Sequence, residues 1–145
     1  RNPNSTRPWQ HVLEPLSGYL ALALALYSNN SIHGESFNFG PQSAQTHSVL
    51  DVVEGMAKYW DKVQWIDDSR DKTNLHESSL LKLNCDKALH SLNWYSCLSF
   101  TETIKLTVDW YKSFKDNPME IEKLSHKQIK EYINIASANG VGWAN

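Results

Sequence analysis

The chain has 145 residues, enough for one domain with a sizeable core, and its 41% hydrophobic and 21% charged fractions are those of an ordinary globular protein. A formal net charge of -2 and a sequence pI near 6.3 exclude a strongly basic surface for nucleic acid or anionic membranes. The longest strongly apolar run, Tyr19 to Tyr27, is too short to span a bilayer and predicts a buried helix.

The first part of the chain predicts a loop followed by a long helix. Residues 1–10 are rich in Asn, Pro and Ser, which is typical of irregular structure. From His11 or Glu14 to about Ser28, apolar residues recur at helical spacing, and Glu14 and Pro15 suit the first turn of a helix. We expect this helix to bury its apolar face, which comprises Leu13, Leu16, Leu20, Ala23, Leu24 and Tyr27.

The middle of the chain predicts short strands around a second helix. Residues 35–41 (ESFNFGP) are typical of an aromatic strand that ends at Gly-Pro, and residues 63–66 and 80–83 predict two further short strands. Residues 67–74 predict an exposed polar loop. A helix over about 47–61 is indicated by an apolar stripe of Val49, Val52, Val53, Met56 and Trp60.

Three helices are predicted in the last third of the chain. A short one runs from Cys85 to Leu92. Ser99 and Glu102 form a capping-box pattern that indicates the start of a second helix. Its apolar positions are Ile104, Thr107, Val108, Trp110, Tyr111 and Phe114.

A second capping-box pattern, Ser125 with Gln128, predicts the start of the last helix, with Leu124 placed to pack against Ile129. Gly140 is the natural end of that helix. The chain therefore predicts an α/β fold with four or five helices and three short strands. So few strands cannot form a doubly wound sheet alone, and we expect one segment, residues 1–145, of a larger α/β protein.

Two further features bear on the setting of the protein. The chain has no initiator Met and no signal-peptide pattern at its start, so we expect a piece of a longer cytoplasmic protein. Cys85 and Cys97 lack the spacing of a zinc or redox site and are expected to be buried thiols in a reducing compartment.

Several kinds of functional site are not indicated by the sequence. The six histidines include no pair at i,i+3 or i,i+4, so a metal site is not expected. No glycine-rich phosphate loop occurs, so the chain has no visible means of holding a dinucleotide. Tyr111 and Lys115 match the Tyr-x-x-x-Lys spacing of short-chain dehydrogenases, but Tyr111 falls on the apolar stripe, which favours a chance match.

The most suggestive polar cluster is Arg7-Pro8-Trp9-Gln10-His11, directly before the first helix. An arginine fork suits phosphate oxygens, and Pro8 fixes the backbone beside it. Trp9 offers a stacking surface and His11 offers hydrogen bonds to sugar or phosphate. The residue types alone also fit a packed turn, in which Trp9 fills a gap in the core.

A family resemblance changes that balance. The segments TRPWQHVLEPLSGYL, FNFGP, HESSLLKLNCDKA, LNW and TVDWY occur in this order and resemble the C-terminal part of the extended short-chain dehydrogenase/reductase family. Within the NAD-dependent epimerase/dehydratase enzymes of that family, they resemble the branch that acts on CDP-glucose. The resemblance implies the substrate-binding portion of a Rossmann-like enzyme, whose cofactor loop and catalytic residues lie in an N-terminal part absent from this chain.

The resemblance also implies an activity and a set of contacts. The activity is that of a lyase in which bound NAD oxidises C4 of the hexose, water leaves across C5 and C6, and the hydride returns to C6. Its product would supply deoxysugars of bacterial surface polysaccharide, and the whole enzyme is expected to be a homodimer. The expected nucleotide-sugar contacts are Arg7, Trp9, His11, His76 and Glu77, with no catalytic, cofactor or metal residue in this chain.

Two alternatives stay open at this stage. The chain could come from another nucleotide-sugar epimerase or dehydratase of the same family. It could also be a non-catalytic fragment or a binding module.

Overall fold

The computed structural model describes residues 2–28, 30–66 and 79–145. Their helices are α1 (Leu13–Ser28), α2 (Val49–Tyr59), α3 (Asp86–Leu92), α4 (Phe100–Asp116) and α5 (Ile121–Ala138). Two short strands are present, β1 (Thr6–Arg7) and β2 (His47–Ser48), and 3₁₀ turns cover Asn30–Ile32, Pro118–Glu120 and Gly142–Ala144. This part of the chain is therefore mostly helical with a two-stranded sheet, and the helices expected from periodicity are confirmed.

The sheet differs from the expectation. β1 and β2 pair antiparallel, with Thr6 opposite Ser48 and Arg7 opposite His47, and an isolated parallel bridge joins Thr6 to Leu80. The prediction of strands over 35–41, 63–66 and 80–83 is wrong, because these segments find no strand ladder among the described residues. The predicted loop at 67–74 lies outside the described residues.

The capping-box prediction at the start of α4 is confirmed. The Ser99 side chain accepts a hydrogen bond from the Glu102 N–H at 3.3 Å, and Glu102 Oε2 accepts one from the Ser99 N–H at 2.8 Å. A capping box of the same kind, between Ser48 and Asp51, begins α2.

The prediction that Ser125 and Gln128 cap a helix is wrong, because α5 already begins at Ile121, directly after a 3₁₀ turn. Ser125 lies inside the helix, where its hydroxyl accepts a hydrogen bond from Trp110 Nε1 at 3.0 Å. Gln128 is buried and donates to the main-chain oxygen of Leu106 at 2.9 Å. The Ser-x-x-Gln spacing therefore provides contacts between α4 and α5.

The end of α5 agrees with the expectation. Gly140 has a φ of +74°, and its N–H donates to the Ser137 carbonyl while that of Val141 donates to Ala136. These two bonds form a Schellman motif, which requires a residue in the left-handed region and favours glycine there.

The core is centred on Trp94, which is fully buried. Its indole N–H donates to Ser17 Oγ at 3.1 Å, and the indole of Trp143 donates to the same oxygen at 2.9 Å. The buried apolar cluster that includes this tryptophan consists of Ala21, Ala88, Trp94, Leu98, Tyr132, Ala136 and Val141.

A buried carboxylate joins three parts of the fold. Glu14 is 1% exposed, and its Oε1 accepts the main-chain N–H groups of Cys97 at 2.9 Å and Leu98 at 2.7 Å. Its Oε2 accepts the hydroxyl of Tyr132 at 2.8 Å. Burial raises the pKa of Glu14, while these hydrogen bonds act in the opposite direction. Glu14 thus ties α1 to the segment before α4 and to α5.

The orientation of α1 contradicts the expected burial of its apolar face. The helix buries Glu14, Ser17, Gly18 and Ala21. Its large apolar residues Leu16, Leu20, Leu24 and Tyr27 are exposed instead. The hydrogen bonds of Glu14 and Ser17 fix this rotation. Leaving a buried carboxylate or hydroxyl without hydrogen bonds costs more free energy than leaving a leucine exposed to water. Among the described residues, every helix is too short or too polar to cross a bilayer.

Gly18 allows the residues after α1 to pack directly on the helix. A Cβ at this position would overlap the ring of Phe39. That ring is held edge-to-face by Trp94 at 4.9 Å and by Tyr19 at 5.7 Å between centroids, so it has little room to move. The extended segment that contains Phe39 is thereby held against α1.

We expect Gly18→Ala to lower the free energy of unfolding by about 1–3 kcal/mol, because the added methyl group displaces the Phe39 ring. Gly55→Ala in α2 is the matched control, since the nearest side-chain atom lies at 3.5 Å. It should be neutral or slightly stabilising, as alanine favours helix. Urea denaturation followed by circular dichroism measures both, and equal effects would contradict the packing described.

We expect Glu14→Ala to lower the free energy of unfolding by about 3 kcal/mol or more, because two N–H groups and a hydroxyl lose their acceptor. Tyr132→Phe removes one donor and should cost about 1 kcal/mol. Glu14→Gln retains an acceptor oxygen and should fall between them. The same denaturation experiment orders the three variants, and a Glu14→Ala loss no larger than that of Tyr132→Phe would contradict this role.

Candidate functional site

Arg7 lies on β1 at the edge of a shallow recess. Its Nη1 donates to the Thr6 carbonyl at 2.7 Å, and its neighbour Pro8 lines the same recess. The opposite walls come from residues 41–46, which lead into β2, and from residues 81–83. These walls are held beside β1 by main-chain bonds, since the Thr6 N–H donates to Ser79 and the Leu81 N–H donates to Thr6.

The recess adjoins a larger groove of about 770 Å³. The two share the lining residues Pro41, Gln42, Ser43, Lys82 and Leu83. The rest of the groove is lined by polar residues together with apolar ones such as Leu89 and Trp94. These further lining residues include Asn84, Asp86, Tyr95 and Ser96. Arg7 lines the recess and Lys82 lines both the recess and the groove, so two cationic residues lie where the two meet, and such groups suit phosphate oxygens.

Side-chain bonds to the main chain shape this groove. Asn38 Nδ2 donates to the Asn84 carbonyl at 3.1 Å, and Gln42 Nε2 donates to the Ser96 carbonyl at 3.2 Å. Asn84 in turn accepts the N–H of Asp86 at the start of α3. Ser96 is 2% exposed, and its hydroxyl makes no hydrogen bond within the described residues.

Trp9 and Gln10 hold the turn between β1 and α1. Trp9 is half-buried, and its indole N–H donates to the His47 carbonyl at 3.1 Å. Gln10 Nε2 donates to the Phe39 carbonyl at 3.0 Å. Both side chains donate to main-chain carbonyls. For Trp9 and Gln10 this agrees with the packed turn that the sequence also allowed.

His11 lies in a different cavity from Arg7. It is 6% exposed and lines a pocket of about 500 Å³ between the start of α1 and helices α4 and α5. Its Nδ1 accepts the Leu13 N–H at 3.3 Å, which places the proton of the neutral ring on Nε2. Burial lowers the pKa of His11, so the neutral form is favoured.

The structure therefore separates two residues that the sequence groups together. Arg7 lines the recess, His11 lines the pocket beside α4 and α5, and Trp9 donates to the His47 carbonyl on β2. The other two expected contacts, His76 and Glu77, lie outside the described residues.

The Tyr111 and Lys115 side chains of the Tyr-x-x-x-Lys pattern in α4 contact other residues. Tyr111 is 55% exposed rather than buried on the apolar stripe, and its ring packs edge-to-face on Trp110. The Lys115 ammonium lies 5.5 Å from the centroid of the Trp60 ring, so that side chain is directed to α2.

The two thiols are free and partly buried rather than fully buried. Burial raises the pKa of Cys85, and it raises that of Cys97 to about 11 with help from the charge of Glu14. Within the described ranges no cluster of three or more His, Cys, Asp or Glu side chains is placed to hold a metal ion.

The described residues do not fit the NAD that the family resemblance implies. A dinucleotide pyrophosphate binds at a helix N-terminus whose N–H groups are open. The N-termini of α2 and α4 are already satisfied by the carboxylates of Asp51 and Glu102, which also repel phosphate. In the first turns of α1, α3 and α5, acidic residues add further negative charge, namely Glu14, Asp86 and Glu122.

Sequence reasoning missed the polar lining of the groove. Gln42, Lys82, Asn84 and Asp86 lie at the ends of the segments 35–41 and 80–83, which were expected to be strands. The sequence does contain an indication of this groove, since polar residues follow two apolar segments. Such positions often lie together at one edge of a sheet or of an extended layer.

We expect the chain to lose stability as the pH falls below the usual histidine value, because the folded state binds a proton on His11 less tightly than the unfolded state does. His11→Gln keeps an acceptor for the Leu13 N–H and should remove this part of the pH dependence. The exposed His33→Gln is the control. Urea denaturation between about pH 7.5 and pH 5.5 measures it, and a His11→Gln profile parallel to that of the wild type would contradict the assignment.

Comparison with known proteins gives one informative match. No protein-family model matches the chain. The chain is 39% identical over 139 residues to the CDP-glucose 4,6-dehydratase of Salmonella typhimurium, a match that covers 94% of this chain. It spans only 38% of the length of that relative. The resemblance expected from the sequence, to the enzymes that act on CDP-glucose, is therefore confirmed.

Proposed function

We propose that this chain forms the nucleotide-sugar side of the active-site cleft of a CDP-glucose 4,6-dehydratase. In this proposal residues 1–145 are the C-terminal, substrate-binding portion of an NAD-dependent extended short-chain dehydrogenase/reductase. The observation that carries it is the position of Arg7, in a recess that adjoins a groove and shares Lys82 with it. The identity to the Salmonella enzyme supplies the substrate class.

Arg7 and Lys82 would bind the diphosphate of CDP-glucose. The guanidinium offers a rigid pair of donors for two phosphate oxygens, and the ammonium adds a mobile positive charge. The β1–β2 pairing holds the backbone of Arg7, so its side chain is presented from a fixed point. Charge-assisted bonds of this kind bind substrate and transition state alike, so they act mainly on affinity.

The groove beyond Arg7 would receive the nucleoside. Its volume of about 770 Å³ lies within the usual range for small-molecule sites. Asn84 and Asp86 offer donors and acceptors that suit a ribose and a pyrimidine ring. Tyr95 offers an aromatic surface at the same place.

The other expected contacts take different roles in this proposal. Trp9 would support the Arg7 loop through its bond to His47 rather than contact the ligand. His11 would face a second cavity, and His76 and Glu77 stay predictions. The oxidation and return of hydride would be supplied by NAD bound to another part of the enzyme, since the described residues do not fit that cofactor.

The proposal is tested with a hybrid enzyme in which this chain replaces the matched region of the Salmonella dehydratase. We expect the hybrid to convert CDP-glucose to the 4-keto-6-deoxy product, and the 145-residue chain incubated alone with NAD and CDP-glucose to give none. Assays with dTDP-, GDP- and UDP-hexoses distinguish another enzyme of the family. A folded hybrid that prefers one of these, or that processes none, would contradict the proposal.

We expect Arg7→Ala in the hybrid to raise KM for CDP-glucose by the equivalent of about 2–3 kcal/mol, with a smaller change in kcat. Arg7→Lys retains the charge without the fork and should recover part of the affinity. Steady-state kinetics provide both constants. An Arg7→Ala hybrid with unchanged KM would remove this residue from the substrate site.

A further inference from the structure

Arg7, the proposed diphosphate contact, lies at the end of a very short ladder. Strands β1 and β2 form two residue pairs, and the pair of Arg7 with His47 is the last one on that side. On the other side the pairing continues, since the Val49 N–H donates to the Ser5 carbonyl at 2.9 Å. The ends of short ladders open readily, so the direction of the Arg7 side chain needs further support.

Trp9 is bonded to both members of that last pair. Its main-chain N–H donates to the Arg7 carbonyl at 2.9 Å, and Pro8 between them restricts the backbone. Its indole N–H donates to the His47 carbonyl at 3.1 Å. One residue therefore bonds to both strands at the open end of the ladder and holds the backbone of Arg7 against β2.

His47 is in turn held by its ring. The imidazole stacks on the ring of Phe100, with 3.7 Å between centroids and 12° between planes. Phe100 is the first residue of α4, directly after the capping-box residue Ser99. His47 itself precedes Ser48, which begins α2 through another capping box. The carbonyl that accepts the Trp9 indole N–H is therefore anchored to the starts of two helices.

Trp9 and His47 support the candidate site without lining it. The residues around the recess include Arg7 and Pro8, but neither Trp9 nor His47. The groove that adjoins the recess is lined by neither of them. An effect of either residue on a bound diphosphate is therefore expected to pass through Arg7, to which both are joined.

The chemistry of arginine makes this support relevant to binding. A guanidinium binds phosphate oxygens best when two parallel N–H groups are presented together, so its orientation matters more than that of an ammonium group. A side chain that starts from a mobile backbone loses part of this gain, because it must be ordered when the ligand binds. Holding the Arg7 backbone before the substrate arrives lowers that cost.

We propose that Trp9 and His47 are positioning residues, which hold the Arg7 guanidinium in the direction of the diphosphate of the nucleotide sugar. This inference rests on the proposed function. Trp9 bonds the backbone of Arg7 to β2, and the His47 ring on Phe100 holds β2 in place. Trp9, which the family resemblance implies as a ligand contact, acts on the ligand through Arg7.

A double-mutant cycle in the hybrid enzyme tests this inference. Trp9→Phe keeps an aromatic ring and removes the indole N–H, and it is made both in the presence of Arg7 and in the Arg7→Ala background. Trp110→Phe is the matched control, since it removes an indole hydrogen bond of 3.0 Å to Ser125, between α4 and α5. Steady-state kinetics with CDP-glucose measure KM and kcat, and circular dichroism checks that each variant is folded.

We expect Trp9→Phe to raise KM about fivefold and to change kcat by less than about twofold, because a lost neutral hydrogen bond weakens substrate binding. In the Arg7→Ala background the same substitution should leave KM unchanged. An effect of Trp9→Phe that persists without Arg7 would overturn the inference, since it indicates a direct contact or a general loosening. An unchanged KM in Trp9→Phe, or an equal rise in Trp110→Phe, would also overturn it.

A second pair of variants tests the stacked ring. His47→Ala removes the ring that packs on Phe100, and we expect it to raise KM as Trp9→Phe does. His47→Phe keeps a ring at this position and should restore most of the affinity. If Trp9→Phe does not fold, this pair decides alone, and equal KM values for the two His47 variants would overturn the inference.

The outcomes also separate this inference from the function on which it rests. A wild-type hybrid that converts no CDP-glucose, folded or not, would overturn both. An active hybrid in which Arg7→Ala raises KM, while Trp9→Phe and His47→Ala do not, would retain the proposed function and remove the positioning role.

Discussion

The carboxylate of Glu14 and its three hydrogen bonds determine how the rest of the molecule is arranged. Two main-chain N–H groups before α4 and the hydroxyl of Tyr132 on α5 converge on this one side chain. Each bond joins α1 to a part of the chain more than eighty residues away. Since a buried carboxylate without partners is very costly, α1 can take only the rotation that satisfies Glu14. Its leucines point outward as a consequence.

The same arrangement positions the candidate site. With α1 fixed, Gly18 receives the ring of Phe39, and Gln10 holds the Phe39 carbonyl. The segment that follows forms one wall of the Arg7 recess before it enters β2. The path from the buried carboxylate to Arg7, the proposed phosphate contact, therefore runs through a few short contacts. The turn between Arg7 and His11 is bonded to β2 and to Phe39 through the side chains of Trp9 and Gln10. Arg7 and His11, four residues apart, therefore face different cavities.

The helices could be predicted from the sequence, because apolar periodicity and the Ser99–Glu102 capping box are local signals. The rotation of α1 could not, since periodicity identifies an apolar face but not what covers it. The Ser125–Gln128 pattern led to a wrong start for α5. The same two residues can instead form contacts between α4 and α5 when the helix begins earlier. Arg7 was singled out from its chemistry and its motif, and its contact with a ligand stays a prediction. The sequence shows that Lys82, Asn84 and Asp86 lie in or just after an apolar segment. Their position beside Arg7 could not be predicted, because it depends on the pairing of Thr6 with the segment after Ser79.

The most direct measurement is a crystal structure of the hybrid enzyme with NAD and CDP-glucose bound. We predict that the Arg7 guanidinium lies within hydrogen-bond distance of the diphosphate and that the cytidine lies in the groove beside Lys82 and Asn84. A diphosphate bound away from Arg7 and Lys82 would contradict the proposed function.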